Sequence, residues 1–205
     1  MTGDPAYMHQ VLQPADYVRK PWKNGGGVAL DLHVEPAGAG MDAFDWRASI
    51  ALVHARGPFS HFPGVDRTIV LLAGTGMRLD SATWHADMTT LFEPVHFPGE
   101  MAISCTLTNG PTRDFNLMVR RDVARAQFNV VRQHAMTLSV TDATLCYVAT
   151  GAVDVVMATG TALRVNEDCT WIGQRDGVDD GNDVRIMPAG DNAVALVATM
   201  HRIAP

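Results

Sequence analysis

Cysteine is scarce in this chain. Three thiols in 205 residues, Cys105, Cys146 and Cys169, leave one over after any pairing and show no CxxC spacing. A disulfide framework is not indicated, and the three read as reduced, buried small hydrophobes. The eight histidines contain no HxH pair and no HExxH motif, so the common imidazole arrangements for a metal are missing. Basic residues are also few: 16 Lys and Arg stand against 22 Asp and Glu, for a formal charge of −6, and the longest basic cluster is Arg120-Arg121. A nucleic-acid binder needs a cationic face, so nucleic acid is not an expected partner. Long apolar runs are absent. Residues 69–73 and 193–198 fall far short of the roughly 20 residues that cross a bilayer. The first twenty residues hold Asp4, Pro5, Pro14 and Asp16 and no apolar h-region. The expectation is a cytoplasmic protein with no membrane partner.

Helix signals are equally sparse. Residues 14–19 allow one or two turns before Pro21, and residues 121–127 another. Elsewhere Gly, Pro, Asn and Asp cut the chain into short runs rich in Val, Ile, Thr, Leu and aromatics, at 28–35, 46–54, 68–72, 101–107, 115–120, 144–150 and 194–202. Regularly spaced strands with turns between them predict an all-β sandwich or barrel. With 47% hydrophobic and only 19% charged residues, the chain can fill such a core. Residues 20–120 are dense in aromatics, Arg and Gly-Pro turns. Residues 128–203 are lighter, with an acidic, glycine-containing stretch at 176–183 that reads as a hairpin loop. The expected organisation is two tandem barrels, 1–122 and a more degenerate 123–205, joined near 123–128.

Period-two alternation sorts the strand residues onto faces. Over 46–54, one face holds Arg47, Ser49, Ala51 and Val53, and the other Trp46, Ala48, Ile50, Leu52 and His54. Over 114–120, Asp114, Asn116, Met118 and Arg120 oppose the apolar Phe115, Leu117 and Val119. Small residues beside one long cation suit a strand that lines a cavity. If both polar faces meet in one lumen, Arg47, Asp114 and Asn116 come together; a solvated exterior is the other reading of each face. Gly25-Gly26-Gly27 lacks the Lys-Ser/Thr ending of a P-loop and reads as a tight turn. Gly74-Thr75-Gly76 reads as a hairpin turn. No GxSxG elbow supports a serine hydrolase.

The stretch Gly57-Pro58-Phe59-Ser60-His61-Phe62-Pro63-Gly64-Val65-Asp66-Arg67, followed by six residues and then Gly74, resembles the first conserved motif of the cupins. That motif carries two metal-ligand histidines and a glutamate. Here Arg67 stands at the glutamate position and neither alignment supplies two imidazoles. A guanidinium cannot ligate a cation, so the substitution disfavours a metal and favours an anion.

Four ordered motifs extend the likeness: Pro21-Trp22-Lys23-Asn24-Gly25-Gly26-Gly27, Asp45-Trp46-Arg47-Ala48-Ser49-Ile50-Ala51, the stretch 57–67, and Gly110-Pro111-Thr112-Arg113-Asp114-Phe115-Asn116 continuing to Arg121. With Phe97-Pro98-Gly99-Glu100 they resemble the HutD/Ves family. The resemblance implies a bicupin of two jelly-roll-like barrels with few short helices, without the usual metal ligands and with no cofactor. It also implies association with histidine utilisation, through binding of a small pathway acid such as formylglutamate or urocanate in an accessory or regulatory role. Trp22, Asn24, Arg47, Ser60, Arg67 and Asn116 fall at the family's polar and aromatic positions. The expected site joins these to Phe59 as an aromatic wall and to Asp114, with a small carboxylate as partner. A salt bridge of Arg47 or Arg67 with Asp66 or Asp114 is the structural alternative. His61 and His96, beside Phe-Pro turns, are candidates for the barrel mouth. Two other functions stay open: a metal-independent isomerase, hydrolase or lyase using Asp114 or a histidine as base, and a protein-interaction module. A homodimer through paired strand edges is a further expectation.

Overall fold

Glycine and proline punctuation turns the apolar runs into short strands. The computed structural model describes residues 7–22, 27–139, 142–175 and 183–203. In chain order the first strands are β1 (Tyr7–Leu12), β2 (Val18–Pro21), β3 (Gly27–Glu35), β4 (Trp46–Val53), β5 (Gly57–Pro58) and β6 (Val65–Ala73). Next come β7 (Met77–Asp80), β8 (His85–Met88), β9 (Pro94–Pro98), β10 (Ser104–Leu107), β11 (Thr112–Arg120) and β12 (Ala124–Arg132). The rest are β13 (Met136–Ser139), β14 (Ala143–Thr150), β15 (Ala152–Met157), β16 (Ala162–Asn166), β17 (Thr170–Arg175), β18 (Asp183–Pro188) and β19 (Val194–Arg202). A 3-10 turn at Pro14–Asp16 is the helical element among the described residues. Residues 121–127 do not form the turn of helix that their composition allows, because β12 begins at Ala124. No helix among the described residues is long and apolar enough to cross a membrane.

The chain divides into two compact units, Tyr17–Ala124 and Met1–Asp16 with Arg125–Pro205. The split near residue 124 lies close to the expected 122/123 boundary, but β1 does not group with the first barrel: it pairs antiparallel with β17. In the unit Tyr17–Ala124, a six-stranded sheet ordered β2-β3-β4-β11-β6-β9 packs on a four-stranded sheet ordered β5-β10-β7-β8. Val53, Ile69, Leu71 and Phe97 from the first sheet meet Met77, Leu79, Met88 and Cys105 from the second in one core. In the other unit the sheets are β1-β17-β14-β19-β12 and β13-β18-β15-β16. Cys146, Val148, Trp171, Ala195 and Val197 from the first of these pack against Val153, Val155, Val165, Val184 and Ile186 from the second.

The two units repeat one topology. The order β9-β6-β11-β4 corresponds to β17-β14-β19-β12, and β5-β10-β7-β8 to β13-β18-β15-β16. Eight strands in two packed sheets make each unit a jelly roll, with β2 and β3 added beyond β4 in one and β1 beyond β17 in the other. The segment Gly74-Thr75-Gly76 is not the hairpin its composition suggests. It joins β6 to β7, which belong to different sheets, so the chain crosses the barrel there. Gly74 has φ +102°, and a Cβ on it would lie 2.7 Å from the Pro111 carbonyl oxygen. Gly151, with φ +70°, makes the equivalent crossing from β14 to β15.

Candidate functional site

The register of the six-stranded sheet sets the site in rows. One row runs Val34, Arg47, Met118, Arg67, Phe97 across β3, β4, β11, β6 and β9. The next runs Asp31, Ser49, Asn116, Ile69, Val95, and a third Ala29, Ala51, Asp114, Leu71. Because Ile69, Leu71 and Phe97 belong to the core between the sheets, this shared face is the lumenal one. The opposite face, with Trp46, Ala48, Ile50, Phe115, Leu117 and Val70, is buried as well, so neither face of β4 or β11 is the solvated exterior that alternation alone allows. Arg47, Asn116 and Asp114 share this lumenal face in three successive rows, with Arg67 of β6 in the row of Arg47.

The two arginines are in different chemical states. Arg47 is buried and donates from Nη2 to Asp31 Oδ1, while its Nη1 lies 3.9 Å from the Met118 sulfur. The half-exposed Lys20 ammonium sits 2.7 Å from the other Asp31 oxygen. The partner of Arg47 is therefore Asp31, not Asp66 or Asp114; Asp66 accepts from Arg121 at 2.8 Å. Arg67 is 8% exposed and has no carboxylate partner among the described residues. Its Nη2 donates to Asn116 Oδ1 at 3.1 Å, and its buried Nε has no hydrogen-bond partner. Three aromatic rings enclose the guanidinium, with its central carbon 5.1 Å from the Phe59 centroid, 5.8 Å from Phe62 and 5.1 Å from Phe97. Such desolvated cation–π contacts stabilise the charge but do not saturate its donors. Burial, and then the Arg47 cation, push the Arg67 pKa down to about 9, which leaves it charged at neutral pH.

Asp114 is the second unusual group. It is 2% exposed, accepts a 3.1 Å bond from the Thr112 hydroxyl at Oδ2, and leaves Oδ1 buried without a partner. Burial raises its pKa to about 7, against the lowering effect of the Thr112 bond. Burial raises the nearby Cys105 thiol to about 11, with the Asp114 charge adding to the effect, so Cys105 is an unreactive packing residue.

The other expected residues divide. Phe59 joins the cage around Arg67. Trp22 is half-buried against the same core, held close to the chain by Gly27, where a Cβ would lie 3.0 Å from its ring and 2.5 Å from the Leu52 carbonyl oxygen. Ser60 is exposed on the turn between β5 and β6 and is not drawn into the cluster. Asn24 lies outside the described residues. His96 turns to the opposite face of β9, where it meets Thr68 Oγ1 at 2.8 Å, and His61 is exposed. Asp31, Phe62 and Phe97 were not expected here. Phe97 sits in one of the sequence motifs, and Asp31 alternates correctly with Ala29, yet their pairing with Arg67 and Arg47 is set by register across strands far apart in sequence.

The lumen does not fit a metal of the cupin kind. Its charged groups are two guanidiniums, a carboxylate already paired with cations, and an isolated carboxyl, and no cluster of three His, Cys, Asp or Glu that could hold a metal occurs among the described residues. An unpaired buried cation with free N–H donors is by its chemistry suited to an anion rather than to a metal.

A double jelly roll whose first lumen holds two arginines defines an all-β protein of cupin-like fold. The same architecture occurs in an oxalate decarboxylase of Lactobacillus farciminis, with a TM-score of 0.64 at 6% identity over 99% of this chain and 88% of that one, a likeness of fold alone. The chain belongs to the HutD family, whose sequence profile matches residues 14–190. It is 38% identical over 175 residues to an uncharacterized 21.2 kDa protein in the hutC 3' region of Pseudomonas putida, covering 85% of this chain and 88% of that one. It is 37% identical over 110 residues to Protein Ves of Citrobacter koseri, which spans 53% of this chain and 56% of Ves. Two solved structures resemble it throughout. A conserved Pseudomonas aeruginosa protein of unknown function has a TM-score of 0.85 at 27% identity, covering 95% and 99% of the two chains. HutD from Pseudomonas fluorescens has a TM-score of 0.79 at 28% identity, covering 96% and 100%.

Proposed function

We propose that the protein is a metal-free carboxylate-binding protein, accessory to histidine utilisation, in which Arg67 and Asn116 receive the carboxylate of a small pathway acid such as formylglutamate or urocanate. The observation that carries this reading is the Arg67 guanidinium, buried among Phe59, Phe62 and Phe97 with an unpartnered Nε and no carboxylate partner among the described residues. A buried ion without a counter-ion costs several kcal/mol, and an arriving carboxylate cancels much of that cost. Arg47, already neutralised by Asp31, sets the second cation beside the first and strengthens the positive field without competing for the ligand. The solved HutD of Pseudomonas fluorescens is described in a formate condition, and formate is the smallest carboxylate that the Arg67 end would accept.

A charge-assisted pair in this setting contributes about 2–3 kcal/mol, and aromatic contacts bring the total into the micromolar-to-millimolar range. Titration calorimetry with formylglutamate, urocanate, glutamate and formate tests this. At least one binds, and Arg67→Met weakens it by about 30-fold or more. Silence of all four at millimolar concentration overturns the reading.

A further inference from the structure

Asp114 stands one row beyond the Asn116 amide, two residues along β11 on the same lumenal face, so the two Cα atoms are separated by about 6.8 Å of strand. Its carboxyl is enclosed and makes no ion pair among the described residues, although two guanidiniums share its sheet face. Each of those cations is directed elsewhere: Arg47 on β4 to Asp31 of β3, and Arg67 on β6 to Asn116. Ser49 on β4 is the other polar group of that face, and the Lys20 charge from β2 is held by Asp31. Across the core, β10 contributes the Cys105 thiol, protonated at all relevant pH, and β7 Met77 and Leu79; in the same sheet β9 contributes Val95 and Phe97, and none of these four titrates.

A carboxyl so placed is more stable with its proton, and its burial alone accounts for a pKa near that of the surrounding solution, at about 7. In that form it is a hydrogen-bond donor. The Thr112 hydroxyl already donates to Oδ2, and Oδ1 faces no protein partner. The lumen thus holds two donor groups that the protein leaves unsatisfied: the Arg67 guanidinium, whose Nη2 reaches the Asn116 amide, and the Asp114 acid, one row beyond that amide and two rows from Arg67 itself. Two donor groups that approach the Asn116 row from either side match a molecule with an acceptor at each end.

We infer that Asp114, as a neutral carboxylic acid, is the second anchor of this site and selects carboxylates that carry a further hydrogen-bond acceptor, a carbonyl or amide oxygen, a few ångströms from the charge held at Arg67. This rests on the reading of Arg67 as the carboxylate anchor. An acceptor-bearing ligand gains the Asp114 O–H bond; a ligand with a plain alkyl chain leaves that donor buried and unmet. The sign of the pH effect follows from the raised pKa. Below about pH 7 the acid holds its proton and donates; above it the group becomes an anion, loses the donor and repels the ligand's charge.

Calorimetry with valerate, levulinate and γ-aminobutyrate distinguishes the possibilities, since the three share a carboxylate and differ in carrying no second group, a ketone acceptor, or an ammonium donor. At about pH 6 levulinate binds roughly tenfold more tightly than valerate, and the advantage disappears by about two units above that. Asp114→Asn, whose amide donates at every pH, keeps the levulinate preference and removes its pH dependence. Asp114→Ala, verified as folded by circular dichroism, still binds valerate but shows no preference. If valerate and levulinate bind wild type equally at about pH 6, the Asp114 assignment falls while Arg67 as anchor stands. A preference for γ-aminobutyrate that grows with pH also overturns it, because the carboxylate would then be the acceptor. Silence of all three overturns both readings.

Discussion

Arg67 loses most of its hydration when β6 turns it into the lumen, and receives three ring faces and one amide oxygen in exchange. Desolvated cation–π contacts are worth up to about 2 kcal/mol, less than the several kcal/mol that burying an unpaired ion costs. The ligand-free protein is therefore less stable than one with an apolar side chain of similar length at this position. Arg67→Met raises the unfolding free energy by about 1–3 kcal/mol, read from the urea midpoint, while abolishing ligand-induced thermal stabilisation. Arg47→Met has the opposite sign, with a loss of about 3 kcal/mol, because it strips Asp31 of its buried partner and leaves only the half-exposed Lys20. Opposite signs for two arginines on one sheet face separate a binding cation from a structural one. If Arg67→Met destabilises as Arg47→Met does, Arg67 belongs to the framework.

Among the elements, the crossing from β6 to β7 fixes where Arg67 lies relative to the second sheet. Gly74 takes φ +102° within van der Waals reach of the Pro111 carbonyl, and Pro111 directly precedes β11, the strand of Asn116 and Asp114. Gly74→Ala therefore costs at least about 2 kcal/mol, from left-handed backbone strain together with the clash, measurable as a lower denaturant midpoint. Gly110, also at positive φ but in open space, tolerates alanine with the smaller strain cost alone. Alternation along 46–54 and 114–120 is visible in the sequence, and it separates Arg47 from the apolar side of its strand and Asp114 and Asn116 from the apolar side of theirs; that the two polar faces are one face depends on pairing. Pairing itself is a long-range property. Nothing local says that Asp31 lies one diagonal from Arg47, that Phe97 lies across from Arg67, or that β1 completes the sheet of the other unit. Nor does a glycine pair reveal whether its flanking strands share a sheet, which is why a crossing reads as a hairpin. The same limit left a solvated exterior as one reading of the polar faces of β4 and β11, since burial on both sides depends on what topology brings against them.

For the whole molecule, the repeat of one jelly roll in both units allows a position-by-position comparison of the two lumens. Both β6–β11 and β14–β19 carry a register shift beside their glycine crossing. With those shifts matched, Arg67 corresponds to Thr144, Met118 to Thr199, Asn116 to Val197, Asp114 to Ala195 and Ile69 to Cys146. Val95 on β9 corresponds to Trp171 on β17, which is fully buried and packs with Cys146, Val148, Ala195 and Val197. Arg67, Asn116 and Asp114 of the first lumen are thus replaced by a hydroxyl or an apolar side chain, and an indole fills the middle of the second. A carboxylate entering that second core would meet no counterpart of Arg67, and the indole would have to leave a close-packed interior to admit it. On the proposed reading the expected stoichiometry is therefore one carboxylate per chain, not two. Calorimetry gives a stoichiometry of one per chain, and Arg67→Met takes it to zero. A residual equivalent that survives Arg67→Met, or that is lost instead on Trp171→Ala, would place binding in the second lumen and remove the functional difference between the two halves.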